Sequence, residues 1–327
     1  MLITRELLAK IKKIQIRTEK FATEILSGEY RSAFRGKGLN FDKIREYQFG
    51  DDIRNIDWKV TARMNEPFIR QYKEERQLSI VIILDMSASN NFGTQMQTKQ
   101  EMSTELASVL ATLAIKNNDK VGMMIVTDVI ESYIVPKQGK AHVFRIIKDL
   151  ITYKPKSKKT NLKKVLEEAI SLIPRNSVVF LISDFIPSEG AHSKASFAIE
   201  PERGHIAKGD ISSNTEKDLN ESFDYERELK LLRKTQDLIA ISIRDPREFE
   251  LPEIGLIEVV NPETGHKDLL NLNRKSVRLR FAEMQNKHVN FLVDKFRRLG
   301  IDFLNLQTGK PYIQTLLTLF LTRERRN

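Results

Sequence analysis

Two apolar runs, SIVIIL at residues 79–84 and SVVFLI at 177–182, each end near a carboxylate: Asp85 directly after the first, and Asp184 one residue beyond the second, after Ser183. A strand that is apolar at every position has to be covered on both faces, which is the situation of a parallel sheet with helices above and below it. The surrounding pattern agrees. TKQEMSTELASVLATLAIKNN (98–118) has the spacing of a helix and KVGMMIVT (120–127) that of a strand. ESYIVPK (131–137) carries Pro136 and suits a sheet edge. Segments 141–153 and 161–173 read as helices, 226–235 as another, and DLIAISIRD (237–245) as a further strand. Alternation of this kind predicts an α/β fold, a doubly wound, mostly parallel sheet with helices on both faces.

The predicted α/β domain covers residues 78–245. Before it, residues 5–27 have helical spacing, and residues 28–76 are charged, rich in aromatics and without clear period. Residues 1–77 are therefore expected to form a helix and an irregular segment packed on the core, with Trp58 as an anchor. Residues 187–222 have little apolar content and read as a flexible insertion, or as a loop that orders on a partner. Residues 246–327 read as a C-terminal addition: two short strands around NPETG, a long helix, a strand at 300–308 and a last helix.

The absence of cysteine excludes disulfides, thiolate nucleophiles and cysteine-ligated zinc or iron–sulfur centres. The amphipathic N-terminus lacks the apolar stretch of a signal peptide, and the longest apolar runs are far shorter than a membrane span, so a cytoplasmic protein is expected. The net charge of +10 arises from 54 basic and 44 acidic residues. With the two signs so interspersed, the balance does not by itself specify a partner.

In an open parallel sheet, ligands sit beyond the carboxyl ends of the strands. There the sequence puts Asp85, then Ser87 and Ser89 in the following loop, Thr160 just before a helix, and Asp184. Taken singly, each has an ordinary explanation as a helix or loop cap. Together, two carboxylates and three hydroxyls make an oxygen-only set, the donor type that Mg²⁺ or Mn²⁺ prefers.

This D-x-S-x-S, Thr, Asp order resembles the metal-ion-dependent adhesion site of von Willebrand factor A-like domains over residues 78–245. The resemblance implies that the serines and Thr160 contact the metal, that Asp85 and Asp184 bind it directly or through water, and that an acidic residue of a partner protein completes the sphere. The stretch FDKIREYQFGDDIRNIDWKVTARMNEPFIRQYKEERQ ahead of the first strand, with LPEIGLIEVVNPETG and RRLGIDFLNL downstream, is similar to the bacterial family known as domain of unknown function 58. That resemblance implies a non-catalytic adaptor working beside a MoxR-type AAA+ ATPase.

Two other classes remain open to the sequence. A Mg-dependent phosphoester hydrolase would use the same carboxylates, but it needs a general acid or base, and His142, the one histidine near the motifs, sits in an amphipathic helix. A nucleic-acid binder would use the six lysines of KPKSKKTNLKK (154–164), yet Tyr153 is the only adjacent aromatic. G-x-G-x-x-G and P-loop patterns are absent. The preferred role for Lys156, Lys158, Lys159, Lys163 and Lys164 is a positive rim that steers an acidic protein partner to the metal.

Overall fold

The computed structural model describes residues 16, 18–22, 39–74, 77–91, 93, 97–186, 219, 223–260 and 267–326. The strands are β1 (Leu39–Glu46), β2 (Phe68–Glu74), β3 (Ser79–Asp85), β4 (Lys120–Val126), β5 (Ile130–Lys137), β6 (Val178–Ser183), β7 (Asp237–Arg244), β8 (Leu256–Val260), β9 (Lys267–Asn271) and β10 (Asp302–Gln307). The helices are α1 (Trp58–Met64), α2 (Lys99–Lys116), α3 (Lys140–Thr152), α4 (Leu162–Leu172), α5 (Glu226–Thr235), α6 (Lys275–Leu299) and α7 (Ile313–Arg326).

Six strands form the main sheet in the order β10-β7-β6-β3-β4-β5. All pair in parallel except β5, which runs antiparallel to β4 at the edge, as Pro136 predicts. Gly122 sits where β5 crowds in: a Cβ there would lie 2.8 Å from the Ile134 carbonyl oxygen, so only glycine fits. The continuous apolar runs bury both faces. Ile80, Ile82 and Leu84 face a core with α2, α3 and α7, while Val81 and Ile83 face a second core with α4, α5 and α6. Each of these five residues is fully buried, and each contributes roughly 1.5–3 kcal/mol. The register of β3 is thereby fixed, and with it the position of Asp85.

The C-terminal segment joins this same body. β10 adds the sixth strand, beside β7, and α6 and α7 cover opposite faces. The β8–β9 hairpin matches the two short strands expected around NPETG, whose residues lie outside the described ones.

Upstream, the stretch without clear period is an antiparallel β1–β2 hairpin enclosing α1. A register irregularity between Phe41 and Lys43 breaks the strand alternation, which is why no period is visible. Asp57 caps α1 by accepting hydrogen bonds from the Lys59 and Val60 amides at 3.1 and 3.3 Å. Trp58 does not anchor the segment: it is 68% exposed, because the seven-residue α1 buries none of its residues. The expected insertion at 187–222 lies outside the described residues apart from Leu219, as does most of the expected helix at 5–27. Among the described residues no helix is long and apolar enough to cross a membrane.

Candidate metal centre

β3 is where the connections diverge, with β4 on one side of it and β6 on the other. This switch point opens a crevice at the carboxyl ends of the two strands. Asp85 ends β3, and Asp184 follows directly on β6. Both are 1% exposed.

The Asp85 carboxylate accepts two short hydrogen bonds. The Ser87 amide donates to Oδ1 at 2.9 Å, and the Ser183 hydroxyl donates to Oδ2 at 2.7 Å. Among the described residues no cation pairs with it. Burial, and secondarily the negative charge of Asp184, push its pKa up to about 6.

The loop after Asp85 turns its hydroxyls inward. Ser87 Oγ and Ser89 Oγ lie 3.1 Å apart, and the Ser89 hydroxyl also hydrogen-bonds Asp184. The Asn90 side-chain amide donates to the Asp85 carbonyl at 3.2 Å and closes the turn. Asp85, Ser87, Ser89 and Asp184 thus belong to one buried cluster. Thr160 is also buried. Its loop is stitched to the serine loop by a hydrogen bond from the Ala88 amide to the Lys158 carbonyl, 3.0 Å. The helix-capping role open to Thr160 falls to Asn161, whose side chain accepts from the Lys164 amide at 3.0 Å.

Asp184 is held differently. Lys99, itself 1% exposed, donates to Asp184 Oδ2 at 3.0 Å and to Glu248 Oε1 at 2.7 Å. Arg244 Nη1 lies 3.9 Å from the other Glu248 oxygen. Burial alone would raise the Asp184 pKa, but the charges of Lys99 and Arg244 outweigh it and hold the carboxyl below its ordinary range. Phe185, the next residue, has φ of 52°, a left-handed conformation that is strained for a bulky side chain. The strain is offset by the Phe185 ring, which lies in the core 5.2 Å from the Phe296 ring.

Sequence reasoning missed Lys99, Glu248, Arg244, Ser183 and Asn90. One local signal existed for Lys99. A lysine at the first position of a helix opposes the helix dipole, which favours acids there. Here that position is buried and faces a carboxylate.

Lys156, Lys158, Lys159, Lys163 and Lys164 are all exposed around Thr160. The loop that carries them is organised by Glu131, another residue without a sequence signal. Its carboxylate accepts from the Lys156 amide at 2.9 Å, the Ser157 amide at 3.1 Å, the Thr127 hydroxyl at 2.9 Å and the Tyr153 hydroxyl at 3.0 Å. Burial opposes the charged form, yet these donors prevail and keep the Glu131 pKa low. Glu131→Gln replaces an acceptor-only group with one that has two donors. The expected result is at least tenfold faster hydrogen exchange at the Lys156 and Ser157 amides, with core amides unchanged. Equal protection in the variant would mean that the loop does not depend on Glu131.

The donor chemistry fits a hard divalent cation. A buried carboxylate lacks a countercharge, and hydroxyl oxygens cluster beside it. Asp85, Ser87, Ser89 and Thr160 are the residues that would hold the ion, with Asp184 behind Ser89. Among the described residues no group of three or more His, Cys, Asp or Glu side chains is placed to hold a metal ion, so an ion here would depend on the hydroxyls. His142 is not part of it: its ring nitrogen bonds the Val121 carbonyl at 2.9 Å.

Comparison with known proteins gives one family match, to the family described as "Protein of unknown function DUF58", over residues 43–290. Similar curated proteins include "Uncharacterized protein Mb1516" of Mycobacterium bovis and "Uncharacterized protein Rv1480" of Mycobacterium tuberculosis. Each is 23% identical over 322 residues, covering 98% of this chain and 90% of the relative. "Uncharacterized protein MAV169" of Mycobacterium avium is 26% identical over 102 residues, 31% of this chain and 60% of that protein. Among solved structures, the conserved hypothetical protein BatB from Bacteroides thetaiotaomicron is similar with a TM-score of 0.41 and 11% identity, over 76% of this chain and all of that one.

Proposed function

This chain belongs to the DUF58 family, and from that premise we propose that it is a non-catalytic protein-interaction module of the von Willebrand factor A-like kind, whose grip on a partner depends on Mg²⁺ or Mn²⁺. The observation that carries the reading is the buried Asp85 carboxylate, without a cation partner among the described residues and set against Ser87, Ser89 and Asp184 at the switch point. A bound divalent ion would supply the missing positive charge and a coordination position for a carboxylate oxygen from the partner.

The chain's own residues divide the work. Ser183 and the Ser87 amide fix the rotamer of Asp85. Ser89 ties the serine loop to Asp184, and Lys158 ties it to the loop of Thr160. The exposed lysines make the approach positive and attract an acidic partner over roughly 8–10 Å at physiological salt. The partner class suggested by the sequence resemblance is a MoxR-type AAA+ ATPase, met in the cytoplasm. A hydrolase is the weaker reading, because no described histidine joins the cluster and Lys99 is committed to two acids.

The test is affinity capture of a co-produced MoxR-type ATPase by the tagged chain. The ATPase should be retained in Mg²⁺, released by EDTA, and absent from captures with Asp85→Ala. Reversing the charge of the five lysines should slow association about tenfold or more at low salt and flatten its salt dependence, with little effect on dissociation. Capture that survives both EDTA and Asp85→Ala would rule out the metal as the contact.

A further inference from the structure

We infer that Lys99 is a positioning residue that sets the charge of the metal centre: it neutralises Asp184, so that the site is left one negative charge short of what a divalent ion requires. The inference rests on the metal reading above and deepens it. Asp184 is joined through side chains to Lys99, Glu248 and Arg244, while the neighbouring buried Asp245 spends its carboxylate on the Arg247 amide and the Thr308 hydroxyl. Within that linked set the two cations, Lys99 and Arg244, match the two anions, Asp184 and Glu248, and Asp85 stands outside it.

The geometry leaves the unmatched negative charge on Asp85. Lys99 Nζ sits between Asp184 Oδ2 at 3.0 Å and Glu248 Oε1 at 2.7 Å, with almost no solvent to screen it. Arg244 Nη1 faces the remaining Glu248 oxygen. The second Asp184 oxygen accepts from the Ile186 amide at 3.2 Å. Asp85 has only neutral donors. One negative charge against a dication leaves one positive charge over. That surplus is what a single carboxylate from a partner neutralises, and it makes intrinsic ion affinity modest while making the loaded site selective for acidic groups. A lysine buried behind an acid that could otherwise serve the ion destabilises ion binding by design of charge, because like charges interact strongly at low effective dielectric.

The test is Mn²⁺ binding at pH 7.5, read by calorimetry on the full chain after EDTA stripping, with circular dichroism confirming the fold of each variant. Lys99→Met removes a positive charge and should tighten Mn²⁺ at least tenfold. Glu248→Gln removes a negative charge, disturbs the core less, and should weaken Mn²⁺ about tenfold. The double variant restores the net charge and should return affinity to within about threefold of wild type. If Lys99→Met does not fold, the Glu248→Gln result alone decides. Wild-type Mn²⁺ affinity in folded Glu248→Gln, or in Lys99→Met, would overturn the role of Lys99 while leaving the metal reading intact. A folded wild type that binds no Mn²⁺ would overturn the metal reading itself, a distinct result.

Discussion

Without divalent ions, Asp85→Asn is expected to stabilise the protein at pH 7.5, by on the order of 3 kcal/mol relative to wild type. The sign follows from the carboxyl's two environments. In the unfolded chain its pKa is near 3.8, and in the fold it is pushed up to about 6 by burial and by Asp184. The folded state therefore holds the proton more tightly. The stability this gives is fully present below about pH 4 and is lost as pH rises through 6. About two pKa units correspond to roughly 3 kcal/mol. Asparagine keeps the acceptor for the Ser87 amide, donates to the Ser183 hydroxyl, and carries no charge. Urea unfolding in EDTA at pH 4.5 and at pH 7.5 checks this. The wild type should lose most of its relative stability between the two, and millimolar Mg²⁺ should restore it at the higher pH in wild type but not in Asp85→Asn. A wild type as stable as the variant at pH 7.5 in EDTA would mean that the buried carboxylate is already compensated.

The second large effect is expected at Lys99. Lys99→Ala leaves Asp184 and Glu248 without their shared cation, in a region where Asp184 is 1% exposed. Breaking a buried pair in this way costs about 3–5 kcal/mol. Burial lowers the tendency of Lys99 to be charged, but the two carboxylates more than offset it and raise its pKa. The ammonium therefore persists across the physiological range, and the loss should be largest at high pH and shrink as pH falls, because burial raises the Asp184 pKa once Lys99 is gone. The midpoint of urea unfolding at several pH values measures it. A loss below about 1 kcal/mol would show that water enters and screens the acids.

The fold was legible where local pattern and global role coincide. The runs through Ile80–Leu84 and Val178–Ile182 are apolar at every position because each strand faces two cores, and Pro136 marks the edge strand because it lacks an amide to donate. The hairpin of residues 39–74 was not legible, since its bulge shifts the alternation and α1 buries no side chain. The placement of β10 in the main sheet depends on pairing with β7, more than sixty residues earlier in the chain.

The same division runs through the candidate site. Asp85, Ser87 and Ser89 share one loop, and Asp184 ends a strand adjacent to theirs, so spacing and strand ends reveal them. Lys99 meets Asp184 and Glu248 across 85 and 149 residues of sequence. No short window contains that relation. Glu131 and Lys156 are 25 residues apart and joined by a backbone amide, which has no sequence signature at all. Trp58 was misplaced for the opposite reason: an aromatic suggests a core, yet the short helix that carries it buries none of its residues.

The central claim is that a divalent ion binds at Asp85, Ser87, Ser89 and Thr160, with Asp184 behind Ser89. Titration of Mn²⁺ into the EDTA-stripped chain, with free ion followed by electron paramagnetic resonance, tests it most directly. One site per chain is predicted, competed by Mg²⁺ and abolished in a folded Asp85→Ala, Asp184→Ala double variant. Undiminished Mn²⁺ binding by that variant, or no binding by the wild type, would contradict the account.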